Sequence, residues 1–321
     1  MEPGPEVVDS HRGVAGIELR HLRAFVAVAE ELNFTRAAEA LLLTQPALSR
    51  TIAQLERLVG VTLVRRTRRS VDVTAAGERF LAHARRALLV VEEAARSAQG
   101  EPSVVRVGFT WGATSEYIGP VVRAFEEAHP GVVVQLRRYD QTLAGLADGR
   151  ATVGFLPGDP HDPRVRTMVL SEEPRVAAIP VDHPLTARTE VRLDDLRSQA
   201  IVINVVSGTT TPDLWGSGGG PASEVHVRNV DEWMEAIAAG RGIGLTPAST
   251  GRLYTHPRIR YRPVIDAPAV PMALCWPSVG AHPLVPDFIK AAEACKRALE
   301  KGVRGTGVTS NATPHRTTVH G

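Results

Sequence analysis

The chain has 321 residues, more than one hydrophobic core usually supports, so two or more domains are expected. A hydrophobic fraction of 43% and a charged fraction of 22% are those of a globular protein, and the lack of any run of about 18 apolar residues excludes a membrane-spanning helix. The net charge of +2 is uneven: six arginines (50, 57, 65, 66, 68 and 69) against the single acid Glu56 concentrate a local +5 between residues 44 and 69, a patch suited to nucleic acid or another anionic partner.

The opening stretch "MEPGPEVVDSHRGVAG" has prolines and acids but no apolar segment of a secretory signal. Residues 1–16 are therefore expected to be disordered and the protein cytoplasmic. From residue 17 the pattern turns helical. Leu19, Leu22, Phe25, Val26, Ala29 and Leu32 recur at steps of three and four, which predicts one helix face. A second helix is predicted from Thr35, with Ala37, Ala38 and Leu41 as close contacts. A third is predicted over 45–59, where Leu48, Ile52, Leu55 and Val59 form the buried stripe. Thr44 is its expected N-cap, Pro46 is tolerated in the first turn, and Gly60 ends it. Two short apolar pieces, "VTLV" and "SVDVT", flank "RRTRR" and predict a hairpin with a basic tip. Helix, helix, turn, helix, hairpin is the order of a winged helix-turn-helix.

A long helix is predicted over 74–99 with Thr74 as its cap. Its Leu81, Ala84, Leu88, Val91 and Ala95 alternate steps of three and four, the seam of a coiled coil, and predict pairing with a second copy. Packing against the chain's own domains is the competing explanation. From residue 104 strand and helix patterns alternate: strands at "VVRVGF", "VVVQLRRY" and "ATVGFLP", with helices at 116–128 and 143–147. They continue with strands at "QAIVIN", "EVHVRN", "GIGLTP" and "MALCW" and helices at 230–239 and 286–300. Such alternation predicts parallel α/β layers, in two small lobes. Residues 302–321 lack periodicity and are expected to be disordered. Cys275 and Cys295 read as inert, buried or half-buried thiols of a reducing compartment.

The polar face of the third helix carries the chemistry. In a helix-turn-helix the N-terminal part of the second helix of the motif reaches base edges, which points to Thr44, Gln45, Pro46, Ser49 and Arg50. There an amide reads adenine and a guanidinium reads guanine in the major groove. Thr35 and Arg36 on the preceding helix and Arg66, Arg68 and Arg69 on the wing are placed for backbone phosphate.

The stretch from "FVAVAEELNFTRAAEALLLTQPALSRTIAQL" through "LVRRTRR" and "TAAG" resembles the DNA-binding domain and linker helix of LysR-type transcriptional regulators. The family usually has Phe where Val64 stands and often Gly where Arg68 stands. The resemblance continues through "LSEEPRVAAIPVDHPL", "LDDL" and "AIAAGRGIGLTPAS". It implies an α/β architecture: an N-terminal α winged helix-turn-helix (17–73), a long linker and dimerisation helix (74–99), and a two-lobed, periplasmic-binding-protein-like (type 2) effector domain (104–301). Lobe I would hold 104–179 and 262–301, and lobe II 180–261. It further implies double-stranded promoter DNA as partner, a homodimer or homotetramer, RNA polymerase as a further candidate partner, and a small-molecule effector in the inter-lobe cleft. By position that cleft should be lined by Thr110, Trp111, Thr114, Thr209, Thr210, Asn229 and Thr246. Clustered hydroxyls and a helix N-terminus near Thr114 suit a small carboxylate or other anion. For each threonine a turn or cap role is an equal alternative.

No cofactor or metal is expected, since the eleven histidines are scattered and neither a nucleophile elbow nor HExxH occurs. A ligand-responsive regulator is therefore preferred over a repressor whose α/β domain serves assembly alone, and both over an enzyme.

Overall fold

The computed structural model describes residues 16–67, 70–113 and 116–305. Three helices come first: α1 (Leu19–Glu31), α2 (Phe34–Ala40) and α3 (Gln45–Val59). Their periodic apolar residues meet in one core, where Phe25, Val28, Leu48 and Leu55 are fully buried and Ala37 and Ala38 let α2 approach closely. Two residues expected in that core leave it. Leu19 is exposed at the start of α1, and Leu32 takes a left-handed conformation (φ 46°) as the C-cap, which turns its side chain to solvent. Asn33 rather than Thr35 opens α2, because its Oδ1 accepts from Thr35 N (2.9 Å) and Arg36 N (3.1 Å). Thr44 holds the N-cap position of α3 without a side-chain capping bond, and Gly60 ends the helix at φ 77°.

The antiparallel wing pairs β1 (Val64–Arg66) with β2 (Val71–Val73). Glu56, the one acid of the basic segment, fixes it to α3: its Oε1 accepts from Leu63 N (2.8 Å) and Val64 N (3.0 Å). The linker helix α4 (Ala75–Ala98) starts at Thr74, whose Oγ1 accepts from Gly77 N (3.0 Å) and donates to Thr62 O (2.8 Å). Part of the seam expected for a second copy is used by the chain itself. Leu81 and Ala84 are buried in the winged core and Leu88 packs on it, whereas Val90, Val91 and Ala95 are exposed. The exposed apolar part of α4 is thus its C-terminal half.

After Gly100 (φ 71°) the chain enters lobe I. Its sheet runs β4 (Val132–Arg138), β3 (Ser103–Phe109), β5 (Val153–Pro157), β12 (Val270–Pro277), β6 (Val165–Glu173). Helices α5 (Ile118–Ala128) and α9 (Val285–Gly305) cover one face through Phe125 and Phe288. The sheet of lobe II runs β11 (Ile259–Pro263), β7 (Arg175–Pro180), β10 (Ile243–Pro247), β8 (Ala200–Asn204), β9 (Ser223–Val227). The short α6 (Leu193–Leu196), α7 (Val230–Ala238) and α8 (Ala248–Leu253) complete it.

Alternation predicts parallel layers, yet both sheets are mixed. β12 runs antiparallel to β5 and β6, and β7 antiparallel to β10 and β11. The reason is that the chain crosses between lobes twice and closes each sheet with a returning strand. The crossings also differ from the expected boundaries: β6 ends at Glu173 in lobe I and β7 begins at Arg175 in lobe II, while Val264 still belongs to the lobe II core and β12 re-enters lobe I at Val270. In place of a helix at 143–147 there is a 3-10 turn, Thr142–Gly145, with Leu143 (φ 65°) and Ala144 (φ 48°) left-handed. The glycine-rich stretch 216–220 is anchored at its start by Trp215, buried in the lobe II core, whose carbonyl accepts from Arg197 at 3.1 Å. Residues 302–305, expected in the disordered tail, extend α9. Residues 1–15 and 306–321 lie outside the described residues, as do Arg68, Arg69 and Thr114.

Candidate DNA interface and effector cleft

The predicted DNA contacts fall at the N-terminal end of α3 and where the wing meets the start of α2. Thr44, Pro46 and Arg50 are exposed at the N-terminal end of α3, and Arg50 makes no ion pair among the described residues. Gln45 donates through Nε2 to Ser49 Oγ at 3.1 Å, so the two candidate base readers form one preset polar unit. The wing is drawn in by packing: the Arg66 guanidinium sits over the Phe34 ring, 5.3 Å from its centroid, beside the Thr35 and Arg36 end of α2. Arg36 is engaged by the Glu31 carboxylate at 3.1 Å and by the Glu31 carbonyl oxygen. An exposed pair of this kind contributes about 0–1 kcal/mol, so exchanging it for a phosphate costs little.

The second site lies between the lobes, in a cavity of about 290 Å³. Thr110, Gln141 and Leu143 of lobe I face Ser207, Gly208 and Thr209 of lobe II across it. Asn204 at the end of β8 shapes the lobe II wall, since its Oδ1 accepts from Val206 N (2.9 Å) and Ser207 N (3.3 Å) and turns the loop back toward β7. That loop brings Thr209 onto Arg175, a residue sequence reasoning did not single out. Arg175 is 7% exposed and lines the cavity. Its Nε donates to Pro268 O (3.0 Å), and its two terminal nitrogens to Thr209 Oγ1 (3.1 Å) and Thr209 O (3.0 Å). These use three of five N–H groups, and no carboxylate pairs with the charge among the described residues. Burial without a counter-ion pushes its pKa down to about 10. Nearby, the buried Thr110 hydroxyl has no hydrogen-bond partner among the described residues. The one acid of the wall, Asp159, is exposed enough to stay hydrated.

The remaining predicted cleft residues divide. Trp111 reaches from lobe I into the lobe II core, 5.4 Å from Trp233 and 6.0 Å from Tyr254 between ring centroids, and so plugs the hinge. Thr210 donates to Leu245 O (3.1 Å) and Thr246 to Thr250 Oγ1 (2.8 Å); with Trp111 they line a void of only about 10 Å³ behind the cavity. Asn229 is not on the cleft: it caps α7, accepting from Glu232 N (2.8 Å) while donating to Glu232 Oε1 (2.9 Å). A capping Asn with Glu three residues on was readable before the helix. For Arg175 the signal was weak, a lone cation in the charged run "SEEPR" beside a proline.

Cys275 is fully buried and its thiol is pushed up to about 11 by desolvation. A thiol three units below its pKa is about 0.1% ionised, so alkylation of the native protein at pH 8 is expected to label Cys295 at least about tenfold faster than Cys275. Peptide mass spectrometry after iodoacetamide treatment checks this.

A half-buried amide and an exposed guanidinium on a helix-turn-helix, a basic wing, and a long helix leading to a two-lobed domain with a cavity between its lobes define a ligand-binding DNA regulator. Residues 19–78 match the family described as "Bacterial regulatory helix-turn-helix protein, lysR family", and residues 98–296 match the "LysR substrate binding domain". The chain belongs to the LysR family of DNA-binding transcriptional regulators. It is 37% identical over 256 residues to the HTH-type transcriptional regulator AlsR of Bacillus subtilis, 74% of this chain and 83% of that protein. It is 32% identical over 268 residues to BenM of Acinetobacter baylyi, 79% and 88% of the two chains. The crystal structure of full-length BenM aligns with a TM-score of 0.52 at 28% identity, covering 92% of this chain and 100% of that one. Full-length CbnR in complex with its target DNA shares the fold with a TM-score of 0.60 at 24% identity, over 87% and 99%.

Proposed function

We propose that this regulator reads promoter DNA through Gln45, Ser49 and Arg50, holds the backbone through Thr35, Arg36 and Arg66, and responds to a small carboxylate or similar anion in the inter-lobe cavity. The observation that carries the effector assignment is Arg175, a buried guanidinium with donors to spare and no counter-ion among the described residues, facing a cavity whose wall also holds the Thr110 hydroxyl, unpartnered among the same residues. A carboxylate supplies both missing partners at once, through charge-assisted hydrogen bonds. The exposed half of α4, with Val90 and Val91, supports assembly as a homodimer or homotetramer.

Thermal melts with small aliphatic and aromatic carboxylates, each beside its neutral amide, test the effector. An acid present at 100 times its Kd is expected to stabilise by about 2.7 kcal/mol, and its amide to do far less. Stabilisation by no acid, with DNA binding intact, would mean that the α/β domain serves assembly alone.

The DNA assignment makes a different demand. Arg50→Ala is expected to cost about 1–3 kcal/mol at the preferred site and to relax its sequence choice. Arg66→Ala is expected to weaken all duplexes alike and to lower the salt slope by about 0.9. Binding titrations on specific and scrambled duplexes at several salt concentrations separate the two, and an unchanged preference in Arg50→Ala would refute the groove assignment.

A further inference from the structure

The three parts of the chain meet at one side chain. Arg85 on α4 is 11% exposed; one terminal nitrogen donates to Glu30 Oε1 on α1 at 2.8 Å. The other reaches the Asp148 carbonyl oxygen at 3.2 Å and its carboxylate at 3.3 Å, on the lobe I loop before β5. That loop rests directly on the linker helix: a Cβ on Gly149 would stand 2.9 Å from Ala82 O and 3.2 Å from the Arg85 Cβ. Asp148 Oδ2 also accepts from Arg150 Nε at 2.6 Å. Arg150 lies over the Tyr139 ring, 4.6 Å from its centroid, and donates to Gln141 Oε1. Gln141 lines the effector cavity.

An unbroken polar path therefore runs Gln141, Arg150, Asp148, Arg85, Glu30, from the cleft to the first helix of the DNA-binding domain. It bypasses the backbone connection through Gly100. Between its cleft end and Asp148 lie Leu143 and Ala144, two buried non-glycine residues held left-handed at φ 65° and 48°. Such a conformation persists only where the surroundings impose it. Leu143 itself forms part of the cavity wall, so whatever fills the cavity bears on this turn.

We propose that this path, with the Thr142–Gly145 turn as its movable end, couples the state of the cleft to the seating of the DNA-binding domain on the linker helix. The proposal rests on the cavity being the effector site and not on which effector it takes. Coupling of this kind acts through contiguous packed and hydrogen-bonded groups and is reciprocal.

Hydrogen–deuterium exchange on the full-length protein, free of ligand and DNA, tests it. Gln141→Ala and Arg150→Ala change the cleft end and touch no atom of α1. Both are expected to speed amide exchange at least about threefold in residues 26–33 as well as in 141–151. In the opposite direction, Glu30→Gln is expected to raise exchange in 141–151 by about the same factor. Faster exchange confined to 141–151 in the first two variants, or to 26–33 in the third, would overturn the coupling. Gln141 is exposed, so its variant folds and keeps the test decisive if Arg150→Ala does not. Because no ligand is present, a cleft that binds something other than a carboxylate leaves this result unchanged.

Discussion

Gly77→Ala is expected to destabilise the winged domain by about 3 kcal/mol, the upper end for forcing a methyl group into filled space. Gly77 is buried in the first turn of α4, where a Cβ would fall 2.2 Å from Leu63 O and 2.6 Å from the Val73 Cγ1. Neither neighbour can yield cheaply. Leu63 O already accepts from Thr74 N at 3.0 Å, and Leu63 N is held by Glu56. The helix must move instead, and it takes with it the Thr74 cap and the packing of β2. Because the wing carries Arg65 and Arg66, affinity for every duplex should fall together with stability.

Spectroscopy can isolate this effect. All four tryptophans (111, 215, 233 and 276) lie in the effector domain, so their fluorescence reports that domain alone, whereas far-ultraviolet circular dichroism also reports α1 to α4. In Gly77→Ala the helical transition should move to lower urea while the fluorescence transition stays in place. Coincident, unshifted transitions would show that α4 accommodates the methyl group. The glycine of "TAAG" is then explained by a contact, the close approach of a helix start to the strand before the wing.

The winged domain was legible because each of its helices buries one stripe, and a stripe leaves a period in the sequence. The same periodicity says nothing about who covers the stripe. Leu81 and Ala84 read as a seam for a second copy, and α1 of the same chain covers them. In the effector domain the limits were different. The edge strand β6 carries an irregular burial pattern without clean alternation, and pairing direction leaves no mark on composition, so neither β6 nor the mixed sheets could be read. Cleft chemistry was half legible. Thr110 and Thr209 follow from the family resemblance, but Arg175 becomes informative only when folding strips water from it and pairs it with no acid among the described residues.

That uncompensated burial makes Arg175→Met the variant with the greatest expected functional effect. A cation whose folded pKa lies below its unfolded value is disfavoured by folding; the cost is present at every pH below about 10 and eases only as pH climbs from there toward the unfolded value. Methionine removes this cost and also three hydrogen bonds, to Pro268 O, Thr209 O and Thr209 Oγ1. The terms oppose each other, so the ligand-free melt should shift by no more than about 1 kcal/mol. Effector binding has no such compensation. Deleting one member of a buried, hydrogen-bonded charge pair costs about 2–5 kcal/mol, or about 30- to 4,000-fold in Kd for any carboxylate that stabilises the parent protein. A residue kept only to hold the lobe crossing together would give the reverse pattern, a melt lowered by several kcal/mol with carboxylate affinity intact. Calorimetric titration beside thermal melts of both proteins therefore decides whether the guanidinium at the crossing serves the fold or the effector.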